Sequence, residues 1–263
     1  MLASIYRKVQ YLSLDIVLGA VILLRFFSTQ LGASVDPVVY FLLAGSIWSI
    51  YTIDHLRDAS RAKVGARGRY QFHSRSQRTL KGVVILVLAL CGLALFLLDL
   101  ALLVNGSILV ALSLLYLLVH PFLSRIGAKE MYVAVIYSVG ILLAPFTSLS
   151  EVRWEILFLL FILSLANLIL FSWFDEKEDQ RDGFESIATV LGKNQVEMII
   201  MLILALGFGT TLLLAVTSYS IFFFLAFAAY TFILLRPEWS LKHQYYRLIG
   251  DGIFMLPMPL LWM

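Results

Sequence analysis

The sequence predicts an all-helical, polytopic integral membrane protein, with about nine transmembrane helices in one bundle around a central cavity. Three observations support this fold class. Of the 263 residues, 61% are hydrophobic and only 14% are charged, and the mean hydropathy is +0.91. This composition is typical of membrane proteins and excludes an ordinary soluble domain. The other two observations are a series of long apolar runs and an uneven distribution of basic residues.

Apolar runs recur along the whole chain, and most are long enough for a helix to cross a bilayer, which takes about 20 residues. They lie at about residues 11–30, 36–53, 82–104, 106–122, 131–149, 154–174, 197–217, 219–235 and 245–263. A count of eight is the alternative, because only Asn105 and Gly106 separate the third run from the fourth, and the last run contains Asp251 and two prolines. With either count, residues 1–263 are predicted to form one transmembrane domain.

The basic residues predict the orientation, since lysine and arginine collect in cytoplasmic loops. With the N-terminus inside, all of the 20 lysines and arginines except Arg25 and Arg153 fall on or near the cytoplasmic side. We therefore expect the N-terminus and the charged loops at about 54–81 and 175–196 to be cytoplasmic. The net charge of +3 reflects this topology, so no nucleic-acid partner is expected. The compact loops and the lack of a transit peptide favour a prokaryotic plasma membrane.

Two pairs of aspartates with the same spacing stand at predicted cytoplasmic helix ends. Asp54 and Asp58 follow the second apolar run, and Asp175 and Asp179 follow the sixth. Side chains four residues apart share one face of a helix, and carboxylate oxygens suit Mg²⁺. Two such pairs from two halves of a bundle would face each other across one cavity and hold a diphosphate through the metal. For each pair taken alone, a solvated helix end is the alternative.

The second acidic segment resembles a known family. The pattern DxxxD, formed by Asp175 and Asp179, is followed without a gap by Gly183, by Ser-Ile-Ala-Thr at 186–189 and by Gly192. This arrangement is similar to the second aspartate-rich motif of the UbiA superfamily of intramembrane prenyltransferases. The nine predicted helices extend the resemblance over nearly the whole chain.

The first acidic segment departs from the pattern of that family. The family usually carries Asn-Asp ahead of its first DxxxD, and Ile50 and Tyr51 occupy those places here. Lys63 and Arg67 fall where the family has a loop that contacts diphosphate, and Gly68 replaces a proline that often follows. The missing Asn-Asp implies a weaker metal position. The chain would then bind fewer metal ions, use an unusual donor, or keep the fold without the activity.

The resemblance implies Mg²⁺-dependent transfer of an isoprenoid chain from an allylic prenyl diphosphate to a hydrophobic acceptor, either aromatic or lipid-like, within the lipid bilayer. The implied catalytic residues and metal ligands are Asp54, Asp58, Asp175 and Asp179. The expected substrate-binding residues are Tyr51, Lys63, Arg67, Lys129, Asn167 and Lys193.

Asn167 and Lys129 are included because of their positions relative to the acidic pairs. Asn167 precedes Asp175 by eight residues, about two helical turns, so it lies on the same face and deeper in the bilayer. A hydrogen bond between helices is its alternative role. Lys129 opens the fifth run at the cytoplasmic boundary, where it would contact diphosphate or extend to lipid headgroups.

Four further polar residues are open to more than one interpretation. Asp15 and Asp251 lie within apolar runs near the cytoplasmic side, where they would border the site or, by the favoured interpretation, form a structural salt bridge. His55 and His73 flank the basic loop. The histidines lack a zinc-binding spacing, so we expect these two to be solvated loop residues or neighbours of aromatic rings.

Three other classes of protein are alternatives to the prenyltransferase. A non-catalytic subunit or lipid-binding protein of the same fold would also explain the altered first motif. A small-molecule transporter would explain the two-part repeat and the charges inside apolar runs. The CDP-alcohol phosphotransferases also use clustered aspartates with Mg²⁺, but their signature is absent from this sequence. Mg²⁺-dependent binding of diphosphate, lost in Asp175→Ala, would separate the enzyme from a transporter or scaffold.

Overall fold

The computed structural model describes residues 2–61, 68–146 and 151–259. Within these ranges the chain forms α-helices joined by turns and short 3₁₀ helices, with no β-strand, which confirms the all-helical prediction. The helices are α1 (Leu2–Tyr11), α2 (Leu14–Gln30), α3 (Pro37–Arg61), α4 (Arg69–Arg75), α5 (Gln77–Ala94), α6 (Leu100–Arg125), α7 (Lys129–Leu143), α8 (Trp154–Asp182), α9 (Ile187–Leu191), α10 (Lys193–Leu212), α11 (Ser218–Leu235), α12 (Pro237–Leu241) and α13 (Tyr245–Gly252).

Six helices in the described part of the chain are long and apolar enough to cross a membrane, namely α3, α5, α6, α8, α10 and α11. Helices α2 and α7 correspond to the first and fifth apolar runs but have only 17 and 15 residues. The last run forms α13, which has 8 residues and continues into a 3₁₀ turn at Ile253–Met255. The predicted count of nine spanning helices is therefore not confirmed.

The boundary between the third and fourth runs differs from the predicted one. The chain is extended at Leu98 and Asp99, with ψ angles of 148° and 152°, and α6 begins at Leu100. Asn105 lies inside α6, where its side-chain amide donates a hydrogen bond of 2.8 Å to the carbonyl oxygen of Phe146. The Asn105 amide thus bonds to a neighbouring segment, and Asn105 does not mark a helix end.

Helix α8 is at the centre of the bundle. Within its apolar stretch 67% of the residues are buried, compared with 6% for α6. A helix that is apolar on all sides is buried when other helices surround it, and α8 packs against α7, α9, α10, α11 and α13. The second acidic pair is therefore carried by the most enclosed of the long helices.

Both acidic pairs lie on helices that continue beyond their apolar runs. Helix α3 extends to Arg61 and α8 extends to Asp182, so each DxxxD pair occupies one face of a helix, as its spacing predicts. Helix α8 ends because Gly183 adopts a positive φ of 83°, which favours glycine. The backbone N–H groups of Gly183 and Phe184 both donate to the carbonyl oxygen of Asp179, each at 2.8 Å.

An aromatic cluster packs α2 against α11. It consists of Phe26, Phe27, Phe222, Phe223 and Phe227, all of them buried. The rings of Phe27 and Phe223 are stacked with centroids 5.8 Å apart. Such contacts between large apolar side chains hold the helices in a fixed arrangement. This cluster gives the bundle a rigid frame on which the polar residues of α2 are positioned.

Candidate active site

A cavity of about 730 Å³ lies among α1, α2, α3, α4, α6, α7, α8 and α13. It brings together all four aspartates of the two pairs. The residues predicted from sequence that line it are Tyr51, Asp54, Asp58, Lys129, Asn167, Asp175 and Asp179. The two acidic segments are far apart in sequence, and helix packing joins them in one space.

The first acidic pair forms a compact group of donor atoms. Ligand atoms of Asp54, His55 and Asp58 all lie within 4.8 Å of one another. The Nε2 atom of His120 also lies 3.7 Å from the Oδ1 atom of Asp54. Two carboxylates one helical turn apart supply the oxygen ligands that Mg²⁺ prefers, so this donor set fits a hard divalent cation.

The histidines near this pair are enclosed. The Nε2 atom of His55 lies 3.1 Å from the hydroxyl of Ser13, and its ring centroid lies 5.0 Å from that of His73. His73 is only 1% exposed, and its Nδ1 atom lies 2.9 Å from the carbonyl oxygen of Arg69. The expectation that these two histidines are solvated loop residues was wrong, because both belong to helices that pack together. The alternative expectation of aromatic neighbours is correct.

The second acidic pair has a different environment. Asp175 is buried, and its Oδ1 atom accepts a hydrogen bond from the hydroxyl of Tyr246 while its Oδ2 atom forms an ion pair with Arg247. Both partners come from α13, which approaches α8 closely at Gly250. A Cβ atom at Gly250 would lie 2.6 Å from the ring of Phe171, so a larger residue would push the two helices apart.

Two basic side chains are electrostatic neighbours of both pairs. Lys129 on α7 and Arg69 on α4 both line the cavity, and each interacts electrostatically with Asp58 and with Asp179. Opposite charges attract strongly where little water screens them. A ligand that bridges the two acidic pairs would therefore be close to the cations Lys129 and Arg69 as well as to the carboxylates.

Helix α4 contributes Arg69 and Tyr70 to the cavity lining. Gly68, which precedes it, has a φ of +65°, and a proline could not adopt this conformation because its ring fixes φ near −65°. The ring of Tyr70 stacks on that of Phe184 with centroids 4.7 Å apart, and the hydroxyl of Tyr70 accepts a hydrogen bond of 3.1 Å from Arg69. Burial raises the pKa of Tyr70, so its hydroxyl stays protonated. Lys63 and Arg67 lie outside the described residues.

The segment after the second pair is fixed by hydrogen bonds to α7 and α8. The backbone N–H of Ile187 donates to the carboxylate of Glu130 at 3.2 Å, and that of Ala188 donates to the hydroxyl of Ser172 at 3.1 Å. Free N–H groups at a helix start need such partners. The Ser-Ile-Ala-Thr stretch therefore has a structural role that holds α9 against the cavity wall.

The deeper end of the cavity is lined by buried polar groups. Asp251 and Asn167 both line this end, and Asp251 is an electrostatic neighbour of Asp15. Within the described ranges neither Asp15 nor Asp251 has an ion pair within 4.0 Å, so the expected structural salt bridge was wrong. The Oδ1 atom of Asn167 and the hydroxyl of Ser164 are buried without a hydrogen-bond partner among the described residues. Polar atoms of this kind are available to a ligand.

Lys193 is the one described residue of the predicted set that does not line the cavity. Its ammonium lies over the ring of Trp173, 4.2 Å from the centroid. A cation in this position is attracted by the electron-rich face of the ring. Lys193, the first residue of α10, is thus directed onto the ring of Trp173 in α8 and outside the cavity lining.

Four residues of the site were not identified from the sequence: Arg69, His120, Tyr246 and Arg247. Arg247 had a signal, since it is a basic residue within the last apolar run, four positions before Asp251. Ionisable residues in such runs mark functional sites. The same reasoning applies to His120, which lies in the fourth run. Arg69 was one of many basic residues in its segment, and nothing in the sequence distinguished it.

Comparisons with known proteins agree with this arrangement. No curated protein sequence matches the chain. The structure is similar to that of a UbiA homologue from Archaeoglobus fulgidus bound to GPP and Mg²⁺, with a TM-score of 0.61 and 12% identity over 98% of this chain and 100% of the other. It is also similar to a structure of digeranylgeranylglyceryl phosphate synthase in membranes, with a TM-score of 0.57 and 14% identity over 95% of each chain. At these identities the likeness shows a shared fold.

The family assignment comes from the sequence itself. The sequence model of the UbiA prenyltransferase family matches residues 17–249, which include both acidic pairs and every long helix from α3 to α11. The apolar helices agree with the integral membrane location of such proteins. The chain belongs to the UbiA prenyltransferase family.

Proposed function

We propose that this protein transfers an isoprenoid chain from an allylic prenyl diphosphate to an aromatic or lipid-like acceptor within the membrane, with Mg²⁺ as its cofactor. The observation that carries the proposal is the convergence of the two aspartate pairs, Asp54 with Asp58 and Asp175 with Asp179, in one cavity. Family membership and the GPP-bound relative support the same chemistry.

The residues of the acidic end would bind the diphosphate. Asp54 and Asp58 offer carboxylate oxygens to a divalent cation, and Asp179 faces the same space from α8. Bound Mg²⁺ would neutralise the charge that develops on a departing diphosphate. Lys129 and Arg69 are placed to hold the phosphate oxygens directly, since each interacts electrostatically with carboxylates of both pairs.

The middle and deeper parts of the cavity suit the isoprenoid and the acceptor. Ile16, Val133, Leu168 and Phe254 supply apolar lining, which would bind the hydrocarbon and exclude water from an allylic cation. In the reaction the bond between C1 of the isoprenoid and the diphosphate oxygen breaks, and its electron pair leaves with the diphosphate. The acceptor then forms a bond to C1 and loses a proton.

We also propose that the acidic end faces the cytoplasm of a prokaryotic plasma membrane. The distribution of lysine and arginine supports this orientation, because only Arg25 and Arg153 fall on the other side in the predicted topology. A cytoplasmic opening would give the site access to a soluble or membrane-bound diphosphate and to Mg²⁺. Labelling of cysteines introduced at Lys177 and at Asp99 would determine which end is cytoplasmic.

The direct test is release of pyrophosphate by the purified protein in lipid vesicles. The assay would supply geranyl, farnesyl or geranylgeranyl diphosphate with Mg²⁺ and an extract of membrane lipids and aromatic metabolites as the source of acceptor. Asp54→Asn combined with Asp58→Asn should abolish release. Asp99→Asn is the matched control, since this exposed aspartate at the start of α6 makes no side-chain capping bond.

Release in the parent and the control, and none in the double variant, would support the transferase. If no diphosphate is released, stabilisation of the fold by prenyl diphosphate with Mg²⁺ would favour a non-catalytic binding role. Absence of both release and stabilisation would refute the proposed function.

A further inference from the structure

We propose that Arg247 is a permanent cation of the diphosphate site, paired with Asp175, and that the protein therefore binds one divalent metal ion, at the first acidic pair. In this arrangement Asp175 positions Arg247 and leaves metal binding to Asp54 and Asp58. The guanidinium contacts the diphosphate from the side of α8. The inference deepens the proposed function and rests on it, because it assigns the way in which the same site holds its donor.

Both oxygens of the Asp175 carboxylate already have partners. Its Oδ1 atom accepts from the hydroxyl of Tyr246, and its Oδ2 atom is paired with Arg247. A metal ion on the remaining lone pairs of this carboxylate would share it with the guanidinium. Two cations so close together repel each other, most strongly in a buried position such as this one.

Arg247 is held in place by several neighbouring side chains. Its carbon Cζ lies 5.2 Å from the centroid of Phe171 and 5.5 Å from that of Tyr246, and its Nε donates to the Tyr246 hydroxyl at 3.3 Å. Asp251, one helical turn away, adds a further favourable charge interaction. A guanidinium is charged at every physiological pH and fixed here on several sides.

Arg247 retains hydrogen-bond donors for a ligand. A guanidinium carries five N–H donors, and the bonds to Asp175 and Tyr246 use the Nη2 and Nε atoms. Arg247 also lines the cavity. The remaining donors can bind phosphate oxygens in the planar, two-pronged geometry for which arginine is suited.

The two acidic pairs differ in the potential metal ligands around them. In the described part of the chain, Asp54, His55 and Asp58 are the one group of three or more potential ligands close enough together to hold a metal ion. Among the described residues, no such group includes Asp175 or Asp179. One ion at the first pair and one arginine at the second would together supply positive charge on both sides of a diphosphate.

Counting bound metal tests the inference. Mn²⁺ would replace Mg²⁺, and electron paramagnetic resonance would measure free Mn²⁺ in the presence of geranyl thiolodiphosphate, an analogue that resists ionisation. We expect one Mn²⁺ per chain in the parent and in Asp175→Asn, and none in Asp58→Asn. Two ions per parent chain, one of which is lost in Asp175→Asn, would overturn the inference.

The role of Arg247 is tested by affinity for the same analogue. Arg247→Lys keeps the positive charge but loses the two-pronged donor. We therefore expect the Mn²⁺ stoichiometry to stay the same and the affinity for geranyl thiolodiphosphate to fall about tenfold or more. Unchanged affinity in Arg247→Lys and in Arg247→Gln would overturn the role. The Asp99→Asn variant serves as the control.

The Mn²⁺ stoichiometry and the affinity for the analogue can both be measured without turnover. If the parent binds one Mn²⁺ with the analogue yet releases no pyrophosphate from any donor, the proposed transferase fails while the metal arrangement stands. If the parent releases pyrophosphate and binds two ions, the transferase stands and the single-metal arrangement fails. Absence of any bound Mn²⁺ would overturn this inference whatever the turnover.

Discussion

The ring of Tyr70 stacks on the ring of Phe184, with centroids 4.7 Å apart and planes 15° from parallel. Tyr70 belongs to α4, which follows the first acidic pair, and Phe184 follows the second pair directly. The stack thus joins the two segments that carry the aspartates. It also positions Arg69, the neighbour of Tyr70, beside carboxylates of both pairs.

Removing the stack should weaken binding of the donor. Aromatic pairs contribute about 0.5–1.5 kcal/mol beyond their buried area, so we expect Tyr70→Ala to weaken affinity for geranyl diphosphate by about 2- to 12-fold. Tyr70→Phe keeps the ring and should change affinity less. Isothermal titration with Mg²⁺ present would measure both, and equal losses in the two variants would contradict a role for the stack.

Metal removal should have a larger effect than loss of the stack. We expect EDTA to abolish binding of geranyl diphosphate, and Asp58→Asn to weaken affinity for Mn²⁺ by about 100-fold or more, since even residues that only support ligands change affinity by about 10–100-fold. Equilibrium dialysis would measure this, with Asp99→Asn as control. Full affinity in Asp58→Asn would place the metal elsewhere.

The buried polar groups at the deeper end should affect the acceptor and leave the donor unaffected. Asn167 and Ser164 have side-chain oxygens without partners among the described residues, and both line the cavity. With any acceptor that supports turnover, we expect Asn167→Ala to raise KM for that acceptor about 5- to 100-fold, the range for a lost buried hydrogen bond. The thermal shift caused by geranyl diphosphate should stay as in the parent. If Asn167→Ala instead abolishes the thermal shift caused by geranyl diphosphate and leaves KM for the acceptor unchanged, Asn167 contacts the donor and not the acceptor.

The stability of the fold should depend on pH through His73. Burial and the nearby Arg69 lower the pKa of His73, so the imidazole is neutral in the folded protein, whereas the unfolded chain takes up a proton below about pH 6.5. Stability contributed by neutral His73 is therefore present above that pH and is lost as the pH falls. We expect Tm to decrease between about pH 7 and 5.5, and His73→Asn to reduce the decrease. An identical decrease in parent and variant would exclude His73 as a cause.

Close packing of α10 on α11 gives a prediction for the fold itself. A Cβ atom at Gly207 would lie 2.4 Å from the ring of Phe227, which is fully buried, whereas one at Gly209 would meet nothing within 4 Å. We expect Gly207→Ala to destabilise the protein by about 1–3 kcal/mol, the usual effect of overpacking. Gly209→Ala, two residues away on the same helix, is the matched control. Thermal unfolding in detergent would compare them, and equal Tm values would disprove the close contact.

The helices and the acidic pairs are predictable from the sequence because both depend on local patterns. Apolar runs of about 20 residues reflect the thickness of a bilayer, and a four-residue spacing reflects one helical turn. The spacing therefore assigns Asp54, Asp58, Asp175 and Asp179 to two helix faces, and helix packing brings the two faces into one cavity.

Features that depend on contacts between distant segments were missed. The partners of Asp175 come from α13, about 70 residues later in the chain, and no local pattern links them. The direction of Lys193 depends on the ring of Trp173 across a helix–helix contact. The break before α6 was misplaced because Asn105 resembles a residue at a helix end, whereas its side chain bonds to Phe146 on a distant segment.

An experimental structure of the protein in lipid with geranyl thiolodiphosphate and Mg²⁺ would show directly where the donor binds. We expect density for the diphosphate between the aspartates of α3 and those of α8, with the geranyl chain along the apolar lining formed by Ile16, Val133, Leu168 and Phe254. Density for the ligand outside this cavity, or a diphosphate bound without contact to either acidic pair, would contradict this expectation.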